Sequence, residues 1–156
     1  MNKFALFLII LSLLALGCVY VYIAKPFQRI ASQNDQTRKQ DIMKVAAALE
    51  SYRNDYGRYP PYDASSYTIV AYSYNIAWGT PFNPYLTTTP KEKSPRRYVY
   101  WSDGQSFRLY AALERPQDEP KACGSLTADC PNVPEKDLCG PNLACNFGVT
   151  SGNVSP

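Results

Sequence analysis

At 156 residues the chain is long enough for one modest domain with an appendage. Sixteen Lys and Arg against 13 Asp and Glu leave a surplus of +3, too small to argue for nucleic acid. There is no histidine, which excludes Ser-His-Asp and Cys-His catalysis, HExxH zinc sites and His-ligated haem.

The N-terminal stretch from Phe4 to Ala24 carries no charge. About 20 apolar residues at 1.5 Å rise cross a ~30 Å hydrocarbon core, so residues 4–24 are predicted to span a membrane. Tyr20 and Tyr22 stand where an aromatic belt would lie, with Lys25 and Arg29 just beyond. Ala15-Leu16-Gly17-Cys18 reverses the usual order of a lipobox, so Cys18 reads as a small membrane-buried residue and not a lipidation site. Two signals oppose each other over orientation. Lys3 alone precedes the span, whereas Lys25, Arg29, Arg38, Lys39 and Lys44 follow it, which favours a cytoplasmic body. Four C-terminal cysteines favour an oxidising compartment. The cysteines are given more weight, and the body is expected outside the cytoplasm.

From Pro26 to about Asp55 the pattern stays helical, with Pro26 expected to bend the helix and not end it. Ala31 to Asp41 is almost wholly polar and reads as helix with little to pack against. Ile42, Val45, Ala46, Leu49, Tyr52 and Tyr56 then recur at three- and four-residue spacing, an apolar face that must be buried. Asp41 with Lys44, and Glu50 with Arg53, are placed to pair on the wet face. Gly57 supplies a stop, with Pro60-Pro61 behind it.

Residues 61–95 read as a packed surface loop with one strand at Tyr67 to Tyr72. A hairpin follows in Arg96 to Leu113, where Asp103-Gly104 is a two-residue turn signal. That turn sets Tyr100 opposite Phe107 and Tyr98 opposite Leu109 on one face. Val99 and Arg108, and Trp101 and Ser106, share the other. The stem residues Val45, Leu49 and Tyr52 are expected to pack on Tyr98, Tyr100, Phe107 and Leu109. Arg96-Arg97 reads as strand with two exposed charges. Asp63, Glu92, Asp103 and Glu114 look scattered, so no acid-base pair is assigned.

The tail from Pro116 onward is acidic and too short to build its own core. It holds Cys123, Cys130, Cys139 and Cys145, whose gaps lack a CxxC pair, so zinc and thioredoxin-type redox chemistry are not expected. Two intramolecular disulfides are expected, with Cys18 left free; spacing alone leaves all three connectivities open.

The run Ala48-Leu49-Glu50-Ser51-Tyr52, Asp55, Gly57, Tyr59-Pro60 resembles the stem-to-loop passage of type IV pilins and type II secretion major pseudopilins. Asn83-Pro84-Tyr85-Leu86, Pro90-Lys91, Tyr98-Val99-Tyr100, Ser102-Asp103-Gly104 and Leu109-Tyr110-Ala111 resemble a second, later run of those families. One departure is clear: no Gly precedes Gly17 and no acidic residue precedes Asp35. The leader motif of those families is therefore not present, and neither leader cleavage nor a buried span glutamate is carried over. The resemblance implies an α+β fold, a long N-terminal helix (membrane-spanning in its first half) on a small antiparallel sheet with a disulfide-bonded tail. Four segments are drawn: anchor 1–25, amphipathic stem 26–56, loop and sheet 57–115, cysteine-rich tail 116–156. It implies a structural subunit of a pilus-like filament or secretion pseudopilus. Such a subunit would self-assemble through its N-terminal helix, with assembly or secretion machinery as partner. No enzymatic activity, cofactor, metal or nucleic-acid partner is expected. The subunit would be single-pass in the membrane before assembly and part of a surface or extracellular filament afterwards. The alternative is a monomeric membrane-anchored surface module that binds a ligand through Tyr-rich loops.

Overall fold

The computed structural model describes residues 3–152 and 154–156, leaving aside the side chains of residues 3–5, 21 and 23–25. It divides into two units, residues 1–33 and 34–156, taken separately below. A single helix, α1 (Lys3–Tyr56), runs through both and is continuous at Pro26.

In the first unit the described apolar side chains are largely exposed. Leu6, Phe7, Leu11, Leu13, Leu14, Leu16, Val19, Tyr20 and Tyr22 are all at least two-fifths exposed. Among the described residues no helix is long and apolar enough to cross a membrane. The expected span over 4–24 is corrected to that extent; the side chains of its positions 4, 5, 21, 23 and 24 lie outside the described residues.

In the second unit α1 supplies one wall of the core. Ile42, Val45 and Leu49 are fully buried, and Tyr52 nearly so. The stripe stops there: Tyr56 is exposed and stacks on Tyr52 with ring centroids 4.4 Å apart. Gly57 ends the helix with φ +74°, its N–H donating to the Arg53 carbonyl at 2.7 Å. That left-handed geometry is cheap only for a residue without Cβ.

A small hairpin comes next, β1 (Ile69–Ala71) paired with β2 (Tyr74–Ile76). Its two loop residues, Tyr72 (φ 55°) and Ser73 (φ 69°), both have positive φ, the signature of a type I′ turn. The expected strand over 67–72 is thus shorter, and its partner was missed because neither turn residue is Gly or Asn. Replacing Ser73 with glycine is expected to stabilise the protein by about 0.5 kcal/mol, since relief of the left-handed penalty exceeds the extra chain entropy. Urea unfolding of the variant checks this.

The main sheet is three-stranded and antiparallel, in the order β3 (Val99–Ser102), β4 (Phe107–Ala111), β5 (Phe147–Thr150). Tyr100 lies opposite Leu109 and Ser102 opposite Phe107, so the hairpin register is shifted by two residues from the expected one. The cause is Asp103. Its carboxylate accepts from the backbone N–H of Gln105 at 2.9 Å and of Ser106 at 2.7 Å, and from the Ser106 hydroxyl. Those bonds stabilise a four-residue loop over the two-residue one. Because the shift is even, every side chain keeps its face.

The tail does more than expected: Phe147–Thr150 forms the third strand. The sheet consequently has two covered faces. Tyr100, Phe107 and Leu109 join the α1 core, whereas Val99, Tyr110 and Ala112 join a second core with Leu138, Cys130, Cys139 and Cys145.

Candidate functional site

Two features of the described residues stand out: the stem-to-sheet contact and a buried charge cluster behind it. Val45, Leu49, Tyr52, Tyr98, Tyr100, Phe107 and Leu109 all lie in one apolar cluster. Two of its tyrosine hydroxyls are bonded, whereas the buried Nε1 of Trp78, packed against the cluster, has no hydrogen-bond partner. The Tyr100 hydroxyl donates to the Pro60 carbonyl at 2.7 Å, and the Tyr98 hydroxyl to Asp41 at 2.9 Å and Glu92 at 3.2 Å. Burial first, then these carboxylates, push the Tyr98 phenol far above its ordinary range. Tyr59 packs edge-on against Phe107 at 4.9 Å. Its hydroxyl donates to Glu50 at 2.8 Å and accepts from Arg53 at 3.3 Å. The expected Glu50–Arg53 pair is therefore mediated by a tyrosine. Lys44 does approach Asp41, at 3.7 Å, but Asp41 faces the buried Tyr98 and not open water.

The polar stretch before the stripe is corrected most. Asp35 and Arg38 are 5% and 7% exposed, not solvated. Arg38 donates through Nε to Glu92 at 2.8 Å, and its Nη1 reaches Asp35 at 2.8 Å and Glu114 at 2.9 Å. Asp35 in turn accepts from the backbone N–H groups of Glu114 and Arg115, both at 2.8 Å. One guanidinium thus joins the helix, the loop before β3 and the chain leaving β4. Glu92 and Glu114 are not scattered; they converge on Arg38. One sequence signal marks this: Asp35 and Arg38 continue the three-and-four spacing of Ile42, Val45, Leu49 and Tyr52 backward. Burial lowers the Arg38 pKa, but Glu92, Glu114 and Asp35 outweigh it and hold the guanidinium above its usual value.

Glu114 is held below the ordinary carboxylate range: burial raises it, and Asn34 and Arg38 more than offset that. Glu119 is lowered chiefly by Lys39, whose Nζ lies 2.5 Å away. Both carboxylates have depressed folded pKa values. Their contribution is therefore present above the unfolded value of about 4.3 and is lost as pH falls through the folded pKa. Urea midpoints are expected to drop below about pH 4.3, and the drop should shrink in Glu114→Gln.

In the tail Cys123 bonds to Cys130 and Cys139 to Cys145. The buried Asn146 side chain bonds both the N–H and the carbonyl of Leu113, at 2.7 and 3.2 Å, fastening the start of β5 to the end of β4. Cys18 is a free, exposed thiol. Alkylation without reductant is expected to label Cys18 alone. Reduction of each short disulfide loop should cost about 2–3 kcal/mol, measured as a lowered urea midpoint. Among the described residues no group of three or more Cys, Asp or Glu is placed to hold a metal ion.

Fold and contacts together define a helix-stem protein whose body is a disulfide-tied antiparallel sheet packed on the stem. The chain belongs to the family described as type II secretion system (T2SS), protein G, which matches residues 25–125. It is accordingly pseudopilin-like, with a structural role of the type II secretion kind. Neither a curated protein nor a solved structure matches it.

Proposed function

We propose that this chain is the self-assembling structural subunit of a secretion pseudopilus or pilus-like filament, packing through its apolar N-terminal helix. The observation that carries the reading is the bare apolar surface of the first unit, from Leu6 to Tyr22. Each half-exposed leucine there would contribute about 1 kcal/mol on burial, and a lone helix in water leaves that contribution unused. A helical array of copies covers all sides of such a helix at once, which a single partner cannot do. Before assembly the same segment would hold the subunit in a membrane; this part rests on the uncharged run from Phe4 to Ala24 alone. The body would lie outside the cytoplasm, where the Cys123–Cys130 and Cys139–Cys145 bonds persist. The role is mechanical, with no catalytic step and no nucleic-acid partner, and the machinery of secretion is its natural partner. Gel filtration in mild detergent tests it, using Leu16→Lys at a two-thirds-exposed position. The wild-type chain is expected as a large assembly and the variant as a monomer. A monomeric wild type would favour the membrane-anchored binding module instead.

A further inference from the structure

Two loops of the body carry charge patterns of opposite sign. Lys91-Glu92-Lys93 is the one place in the sequence where a carboxylate stands between two adjacent cations. Glu135-Lys136-Asp137 is the one place where a cation stands between two adjacent carboxylates. Lys91, Lys93 and all three residues of the second loop are exposed. Among the described residues Lys91, Lys93, Lys136 and Asp137 make no ion pair. The two matching patterns are left unused within one chain.

The first loop borders a cleft of about 640 Å³ between α1 and the segment before β3, with buried Arg38 and Tyr98 in its wall. Asp41, Glu92 and Glu114 line it as well. Arg38 answers Glu92, Glu114 and Asp35, three carboxylates for one guanidinium. The cation beside Asp41 is the exposed Lys44, 3.7 Å away. The interior is thus short of positive charge, while the exposed part of the lining includes Lys91 and Lys93. Residues 135–137 do not line the cleft of their own chain. They form a braced knob. The Tyr67 hydroxyl donates to Glu135 at 3.0 Å, the Gly140 N–H to the Asp137 carbonyl at 3.2 Å, and the Cys139–Cys145 bond follows directly. Such a knob has little freedom left to lose on docking.

We infer that the Glu135–Asp137 loop of one copy seats in this cleft of a second copy. Charge complementarity chooses the occupant. A simple anion would meet Asp41, Glu92 and Glu114, and a simple cation would meet Lys91, Lys93 and Arg96. A segment of alternating sign suits both zones: Glu135 and Asp137 against the exposed lysines, Lys136 against the carboxylates within. The chain itself supplies that segment, and only once. Ion pairs partly shielded in a cleft are stronger than the same pairs on an open surface. Knob and cleft are different patches, so the contact, repeated from copy to copy, generates a ring or a helical array. The inference rests on the reading that copies of this chain assemble, and adds a contact between bodies to the packing of helices.

Zero-length carbodiimide coupling of the full chain, in mild detergent at low salt, tests it on a sample first passed through gel filtration. The reagent joins a lysine to a carboxylate only where the two touch, and a denaturing gel separates two-chain from single-chain products. Peptide mapping of the two-chain product is expected to show Lys136 joined to Asp41, Glu92 or Glu114, and the single-chain product should lack that link. Glu135→Gln with Asp137→Asn should lower its yield about tenfold, the worth of two ion pairs at the rim. Gln still accepts from Tyr67, and Asn tolerates the left-handed backbone of Asp137 (φ 57°), so the urea midpoint should match the wild type. The same neutralisation at exposed Asp55 and Asp118 should leave the yield unchanged. The inference is overturned if a large assembly forms without the link, if the single-chain product carries it equally, or if both pairs of substitutions reduce it alike. Each of those outcomes leaves the helix-packed assembly standing, because gel filtration reports it separately. A chain that elutes as a monomer and gives no two-chain product would overturn assembly and this contact together.

Discussion

Leu49→Asp is expected to unfold the body at room temperature. Leu49 is fully buried among Val45, Tyr100 and Leu109. Removing its side chain forfeits about 1.5–3 kcal/mol of apolar burial. The carboxylate that replaces it would have no partner, which adds at least a few kcal/mol more. The sum is about 5 kcal/mol, comparable to the whole stability of an ordinary domain. Met43→Asp serves as control, at a position 58% exposed on the opposite side of the helix, and should move stability by no more than about 0.5 kcal/mol. Urea unfolding followed by tyrosine and tryptophan fluorescence distinguishes the two. A cooperative midpoint unchanged in Leu49→Asp would remove the helix-on-sheet architecture.

The second large effect is expected at Arg38. Arg38→Met keeps much of the side-chain volume but strands Asp35, Glu92 and Glu114 around an uncharged group. Breaking a buried ion cluster by removing one partner costs about 3–5 kcal/mol, because the remaining charges lose their compensation. The pH dependence separates this from lost packing. Without the guanidinium Glu114 loses a partner that holds its carboxyl below the ordinary range, so it becomes easier to protonate. The deficit of the variant should therefore be largest near neutral pH and shrink as the solution is made acidic. A deficit that stays constant with pH would mean that Arg38 acts through its alkyl chain. Replacing the exposed Lys44 in the same way should have little effect, since its 3.7 Å contact with Asp41 is long and the Lys44 side chain itself lies in solvent.

The long helix was legible because burial imposes a period that spacing reveals: Ile42, Val45, Leu49 and Tyr52 could share one face and no other. The antiparallel hairpin was legible from alternation, and the disulfides from an even set of cysteines in a short tail. What escaped notice was set by side chains acting on distant backbone. Asp103 is a turn residue in either register, and only its bonds to Gln105 and Ser106 choose the longer loop. Tyr72 and Ser73 adopt a turn that their residue types disfavour, because the tyrosine ring is held against Tyr52 and Tyr56. The strand Phe147–Thr150 hides in a segment of Asn, Gly and Thr, where propensity is weak and pairing with β4 decides. Asp35 and Arg38 read as a wet surface because charge usually marks one. Their continuation of the apolar spacing was the clue, and it becomes meaningful only once Glu92 and Glu114 arrive from the body to meet them.

The described apolar side chains from Leu6 to Tyr22 are bare, and the body from residue 34 onward is braced on its own segment of the helix. The Arg38 cluster ties that body to its segment of the helix, and the two disulfides close loops within the tail. Copies of this chain are proposed to polymerise. Electron microscopy of sheared surface material from cells producing the chain, labelled with an antibody against its body, tests that most directly. Labelled filaments of uniform width are the expected result. Filaments should be lost in cells carrying Leu16→Lys, although the body still folds. Abundant chain with no labelled filament, in cells whose secretion apparatus is intact, would contradict the account.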